Sequence, residues 1–298
     1  MRQINRYETM KERIISGTII AAAIIVLGLV GGYPLANVLL ICSLIGYYEL
    51  MKACGVLKLV RKRQEQFNMI SIIGFASTAA LYFMLQVCAG MYTGPELLQK
   101  SDFWTLCIVV AFFMISMAGY VFAFPKYDGN LIMISVFGFL YCPVMLSFVY
   151  RARTMGRFGI FVYALIFICS SVCDTCAYAV GMMLGRHKMA PVLSPKKTVE
   201  GAVGGVAGSV LVCFLLSLLM EYLYPDIHLQ LEFSVLGVCG ALISMIGDLA
   251  ASAIKRNHNI KDYGKLIPGH GGIMDRFDSI IFTAPMIYFL AVLLIGEI

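Results

Sequence analysis

Long apolar stretches free of charge alternate along the chain with short polar loops, most of them basic. A run of about 18 or more such residues is long enough to cross the hydrocarbon core of a bilayer as a helix. On that criterion the sequence predicts nine spanning helices, over approximately 14–31, 34–51, 67–89, 104–124, 131–150, 158–183, 202–224, 234–250 and 278–296. The first two arise from one charge-free run, Ile14 to Tyr48. Gly31-Gly32-Tyr33-Pro34 divides it, because glycine ends a helix and proline suits the first turn of the next. The expected fold class is therefore all-α, a polytopic transmembrane helical protein of about nine spans.

Composition strengthens this reading. Of 298 residues, 60% are hydrophobic and only 13% charged, and mean hydropathy is +0.85, whereas soluble domains carry about 25% charged residues. The lipid bilayer is thus the expected surroundings. Arg2, Arg6, Lys11 and Arg13 precede the first apolar run, which lacks a small-residue cleavage pattern and reads as a retained span. A net charge of +6 would draw a soluble protein toward nucleic acid, but here the basic residues sit in short loops between spans, so no nucleic-acid partner is expected. Most of the ten cysteines lie within apolar runs, where they act as small hydrophobes, and no disulfide framework is implied.

Loop charge gives an orientation. The basic N-terminus and the loop bearing Lys52, Lys58, Arg61, Lys62 and Arg63 are both placed on the cytoplasmic side, as a hairpin between them requires. Alternation then makes 184–201 and 251–277 cytoplasmic and leaves 90–103 and 225–233 outside. Arg151, Arg153 and Arg157 dissent, falling on the external side of this count.

Charged groups at membrane depth are costly and mark function. Asp174 shares a helical stripe with Tyr178, Gly181 and Gly185, and the stripe leads toward the 184–201 loop; the plainer alternative is an Asp paired with a neighbouring helix. In that loop Ser194-Pro195-Lys196-Lys197-Thr198 is expected to open a helix, with Ser194 as N-cap and free amides beside two lysines, a terminus suited to phosphate. Lys196 and Lys197 as simple interfacial anchors are the alternative. Asp248, Ser252 and Lys255 fall on one face near the end of the eighth span, joining a carboxylate, a hydroxyl and an ammonium. Lys261-Asp262, then His270-Gly271-Gly272, then Asp275-Arg276-Phe277-Asp278 follow. The glycines allow close backbone approach to a ligand, and Asp275 with Asp278 at i, i+3 offers hard oxygen ligands suited to Mg²⁺ held together with phosphates.

These residues resemble the phosphatidate cytidylyltransferase (CDP-diacylglycerol synthase) family. The signature Ser-x-x-Lys-Arg-x4-Lys-Asp-x-Gly-x2-apolar-Pro-x-His-Gly-Gly-x2-Asp-Arg-x-Asp is matched without a gap from Ser252 to Asp278, and the block containing Asp174, Tyr178, Gly181 and Ser194 to Gly201 is similar too. The resemblance covers about 158–298. It implies a catalytic region there, with loops 184–201 and 251–277, and a lipid-embedded scaffold over 1–157. It further implies that CTP and phosphatidate give CDP-diacylglycerol and pyrophosphate, with Mg²⁺, and a second metal ion as an option, at positions corresponding to Asp248 and Asp275. Lys196, Lys197, Lys255 and Arg256 would neutralise phosphates, Arg276 would do the same or pair with Asp278, and His270 would hold the loop or contact phosphate. The family also implies a homodimer; loop charge makes the expected active site face the cytoplasm, at the plasma membrane in a bacterium. The competing class is an ion or solute transporter, which predicts discontinuous helices and paired half-repeats that the sequence lacks. A CTP-using lipid kinase or an ether-lipid cytidylyltransferase would share the nucleotide site.

Overall fold

A computed structural model describes residues 2–57, 68–267 and 271–296, with side chains from residue 15 onward. Among the described residues there are nine helices: α1 (Arg2–Val30), α2 (Gly32–Ala53), α3 (Met69–Met91), α4 (Gly94–Phe122), α5 (Gly129–Arg153), α6 (Gly159–Leu184), α7 (Val199–Leu223), α8 (Gln230–Asn257) and α9 (Met274–Leu294). Eight of them, α2 to α9, are long and apolar enough to cross a membrane, and Ile15–Val30 of α1 is a shorter apolar stretch. The chain is a multi-pass integral membrane protein, in accord with the hydropathy pattern.

The split between α1 and α2 falls at Gly31, where φ is 62°. This positive-φ conformation costs a residue with a side chain roughly 1–3 kcal/mol but glycine almost nothing. Within α5, Pro143 sits in a π-helical turn, Leu140–Val144. Proline offers no N–H and crowds the preceding turn, so the ladder widens there rather than breaking.

One expectation about the 184–201 loop fails. Ser194 does not cap a helix; Ser194–Thr198 is a strand, β2, paired antiparallel with β1, Lys188–Ala190, in the register Lys188↔Thr198 and Ala190↔Ser194. The architecture is thus all-α except for one short hairpin. The cap of α7 is Thr198, whose Oγ1 accepts from Gly201 N at 3.1 Å. Pro195 keeps Ser194 extended, and the acidic Glu200 in the first turn of α7 adds the favourable dipole interaction that marks the true start.

The chain divides into two compact units, one drawn from Met1–Ser147 and His258–Arg276, the other from Phe148–Asn257 and Phe277–Ile298. In the first unit α2, α3 and α5 enclose Tyr47, which fills the space beside Gly74 and Gly138. In the second, α6 and α7 pack along a glycine seam: Gly201 lies on Ala177, Gly205 on Cys173, Gly204 on Val180 and Gly208 on Cys176. Small residues are what let membrane helices approach this closely, since lipid supplies no hydrophobic drive. The two cysteines of Cys173-Asp174-Thr175-Cys176 are therefore packing groups in that seam, and all ten cysteines are free thiols.

Candidate functional site

The second unit gathers most of the polar residues singled out above. At the end of α6, Gly181 and Gly185 leave room for Thr198, whose side chain a Cβ at either position would crowd. The loop is tied down by Glu200: Arg186 N donates to its Oε2 at 3.0 Å, and His187 Nδ1 lies 2.6 Å from its Oε1. Val199 N donates to His187 O at 2.9 Å, closing the base of the hairpin. Glu200 is thus the hinge pin between α6 and α7, and its motif position gave no sign of this task.

The hairpin roofs a cavity of about 530 Å³ lined by Asp174, Tyr178, Gly181, Met182, Lys188, Ser194, Lys196, Lys197, Thr198 and Met245, among others. Three ammonium groups and three hydroxyls in a partly apolar cleft form a surface for a phosphorylated, amphipathic ligand. Lys197 reaches from β2 to α8, where its Nζ lies 2.5 Å from Asp248 Oδ2, both side chains being about a quarter exposed (22% and 28%). Asp248 and Lys255 are also within electrostatic range of Asp278 on α9, as is Asp174 on α6. The close approach of α8 and α9 that permits this depends on Gly247, which lies on Asp278 O and Phe282. Asp174, Lys197, Asp248, Lys255 and Asp278 therefore constitute one charge cluster. Ser252 stands half-buried on α8 and Arg256 is exposed near its end.

The first unit holds the remaining candidates. Lys261 and Asp262 line a second cavity of about 970 Å³ with Tyr48, Glu49, Lys52, Gly264 and Lys265. Asp275 is buried, and its Oδ2 accepts from Tyr263 N at 2.8 Å and Gly272 N at 3.0 Å. That carboxylate organises the loop that precedes α9. Gly271 takes φ 89° beside it, and Arg276 is exposed. His270 lies outside the described residues.

Sequence reasoning missed Glu49. It stands near the end of α2, only 5% exposed. Ile273 N donates to its Oε1 at 3.2 Å and Met274 N to its Oε2 at 2.9 Å, so a carboxylate from α2 occupies the N-terminus of α9. Among the described residues, no three His, Cys, Asp or Glu side chains are grouped to hold a metal unaided.

Helices that span a membrane, with lysines and carboxylates gathered around a cleft between them, define an integral membrane protein that handles phosphate. Residues 11–294 match the Cytidylyltransferase family, and the chain belongs to that family. It is 29% identical to the phosphatidate cytidylyltransferase of Bacillus subtilis (strain 168) over 286 residues, 95% of this chain and 98% of the relative. The phosphatidate cytidylyltransferase of Staphylococcus aureus (strain COL) is 32% identical over 253 residues, 83% of this chain and 91% of that protein. That of Synechocystis sp. (strain ATCC 27184 / PCC 6803 / Kazusa) is 44% identical over 137 residues, 46% of this chain and 45% of its own length.

Proposed function

We propose that this protein is a membrane-embedded phosphatidate cytidylyltransferase, joining CTP and phosphatidate to give CDP-diacylglycerol and pyrophosphate. The observation that carries the reading is the similarity to phosphatidate cytidylyltransferases over nearly the full length of both chains. A phosphate oxygen of the lipid attacks the α-phosphorus of CTP, the bond from that phosphorus to the bridging oxygen breaks, and pyrophosphate leaves. The nucleophile is already an anion at neutral pH, so no general base is needed; positioning and charge neutralisation carry the reaction.

Each residue then has a task. Lys196 and Lys197, with Ser194 and Thr198 beside them, bind phosphate oxygens in the cleft, and Lys255, Arg256 and Lys261 add positive charge at the ends of α8 and the following loop. Arg276 serves the same end. Tyr178 and Met182 line the cleft's apolar wall, and Gly271 and Gly272 let backbone approach the substrate.

The carboxylates fit Mg²⁺, which takes only one or two protein carboxylates when phosphates complete its octahedron. Asp248, with Asp278 and Asp174 in electrostatic range, would hold one such ion, and Asp275 is a candidate ligand by its motif position. Bound there, the ion would neutralise the charge developing on the phosphates. Lys197 pairs with Asp248, and substrate phosphate would offer that ammonium a second partner. Loop charge supports a site on the cytoplasmic side, where CTP is available, and the protein would assemble as a homodimer.

The test is product formation from radiolabelled CTP by purified protein in defined vesicles. Label should enter lipid only with phosphatidate and a divalent cation, and an ether-lipid acceptor should be used at least about tenfold less well. Incorporation that is indifferent to the lipid offered, or solute uptake with no nucleotide chemistry, would overturn the assignment. Size measurement in detergent checks the dimer.

A further inference from the structure

We infer that Glu49 is a positioning residue for cytidylyl transfer: from α2 it holds the backbone that begins α9 and thereby fixes Asp275 and the loop around it. The inference rests on the function proposed above. A carboxylate buried in a membrane helix is costly unless it is compensated. Glu49 is compensated in one specific way, by Ile273 N and Met274 N, two of the amides that the start of α9 leaves without helical partners. It acts as an N-cap delivered from another helix.

The surrounding backbone is shaped to this carboxylate. A Cβ added at Gly264 or at Gly272 would collide with Glu49 Oε1, so two of the signature's three glycines bring main chain against this carboxylate. Asp275 binds the same segment from within, through Tyr263 N and Gly272 N. Two carboxylates, each accepting two amides, therefore hold Tyr263 and Gly272–Met274. They are close enough to repel one another, a cost that packing alone would avoid by placing an apolar residue at position 49. Removing the outer one withdraws the support that α2 gives to the backbone immediately before Asp275.

The test uses the full chain in vesicles, comparing wild type, Glu49→Gln and Gly264→Ala. Glutamine keeps the volume but turns an NH₂ toward one amide; alanine at 264 presses on the carboxylate from the loop side and covers the case in which the position-49 variant does not fold. Turnover per folded molecule should fall about tenfold to a hundredfold, as misplacement of catalytic groups by a fraction of an ångström to an ångström does, with KM for CTP and phosphatidate each within about threefold of wild type. Amide exchange should rise in 263–274 and stay at the wild-type level in α3 and α4. Unchanged turnover and exchange in both variants would overturn the inference. So would exchange raised throughout the unit with activity lost only in proportion to unfolded protein, since that is a folding role. Wild-type protein inactive with CTP and phosphatidate would count against the assigned reaction instead, and local exchange would still decide whether Glu49 positions the loop.

Discussion

Lys197 and Asp248 illustrate how one contact can serve both folding and chemistry. Their 2.5 Å ion pair joins β2 to α8, and at about a quarter exposure it is neither fully screened nor fully desolvated. If the pair were only a strut, reversing it should restore everything that breaking it removes. If Lys197 also meets substrate phosphate, the reversed pair puts a carboxylate against an anion. We therefore expect Lys197→Asp and Asp248→Lys each to lower the melting temperature in detergent, and the double variant to regain most of it while turning CTP over at least about a hundredfold more slowly than wild type. Recovery of activity along with stability would reduce the pair to a structural role. Asp275→Asn is a different case. It should abolish activity, but the asparagine NH₂ would face Tyr263 N or Gly272 N, so loss of turnover alone does not distinguish a metal ligand from a loop anchor. Direct Mn²⁺ binding by electron paramagnetic resonance separates them: a ligand role predicts at least about tenfold weaker binding, a loop role much less. The visibility of these residues in the sequence follows from their surroundings. Asp174 and Asp248 stand out because charge within an apolar run is rare. Glu49 does not, because beside Lys52 it reads as an ordinary interfacial charge, and its partners are backbone amides that no side-chain pattern announces.

At the scale of elements, the helices were legible because lipid leaves little choice: a span needs about 20 apolar residues and must satisfy its own backbone. The hairpin was not. Lys188–Ala190 and Ser194–Thr198 are short, lysine-bearing strands without the apolar alternation that signals a sheet, and Ser194-Pro195 imitates a helix start that in fact lies at Thr198. The glycines of α7 carry the clearest prediction at this scale. A Cβ at Gly205 would stand 2.9 Å from Cys173 O, and one at Gly201 2.7 Å from Ala177 O. Backbone cannot retreat as a side chain can, so Gly205→Val should separate α6 from α7 and cost about 1–3 kcal/mol or more. Thermal unfolding in detergent measures it. Lys197 and Thr198 are carried immediately before α7, and the same variant should weaken turnover beyond what its lost stability explains. A melting temperature within error of wild type would show that the seam is not under the tension its geometry implies.

For the molecule as a whole, orientation is the property that loop charge predicts and helix geometry leaves open. Two of the three arginines that disagreed with the charge count look different once their surroundings are known. Arg151 is buried, its guanidinium 4.6 Å from the Phe148 ring centre and 5.7 Å from that of Tyr288, and Arg157 stacks 4.3 Å from Tyr224. The positive-inside rule describes charges that are held back from crossing the membrane in short loops. Arginines whose planar cations are committed to aromatic faces gain cation–π energy and make poor witnesses to the final orientation. With Arg151 and Arg157 discounted, Arg153 is the one dissenter left against the basic loops, and the sites at 196 and 261 should face the cytoplasm. None of the ten native cysteines is exposed, so a membrane-impermeant maleimide applied to intact cells and to inverted vesicles should meet little background. Cysteine introduced at Lys196 or Lys261 should be labelled only in the inverted vesicles, and cysteine at Pro95, before the apolar part of α4, only in cells. Labelling of 196 and 261 on opposite sides would break the alternation itself. Labelling of both in intact cells would reverse the orientation and remove the site from its supply of CTP.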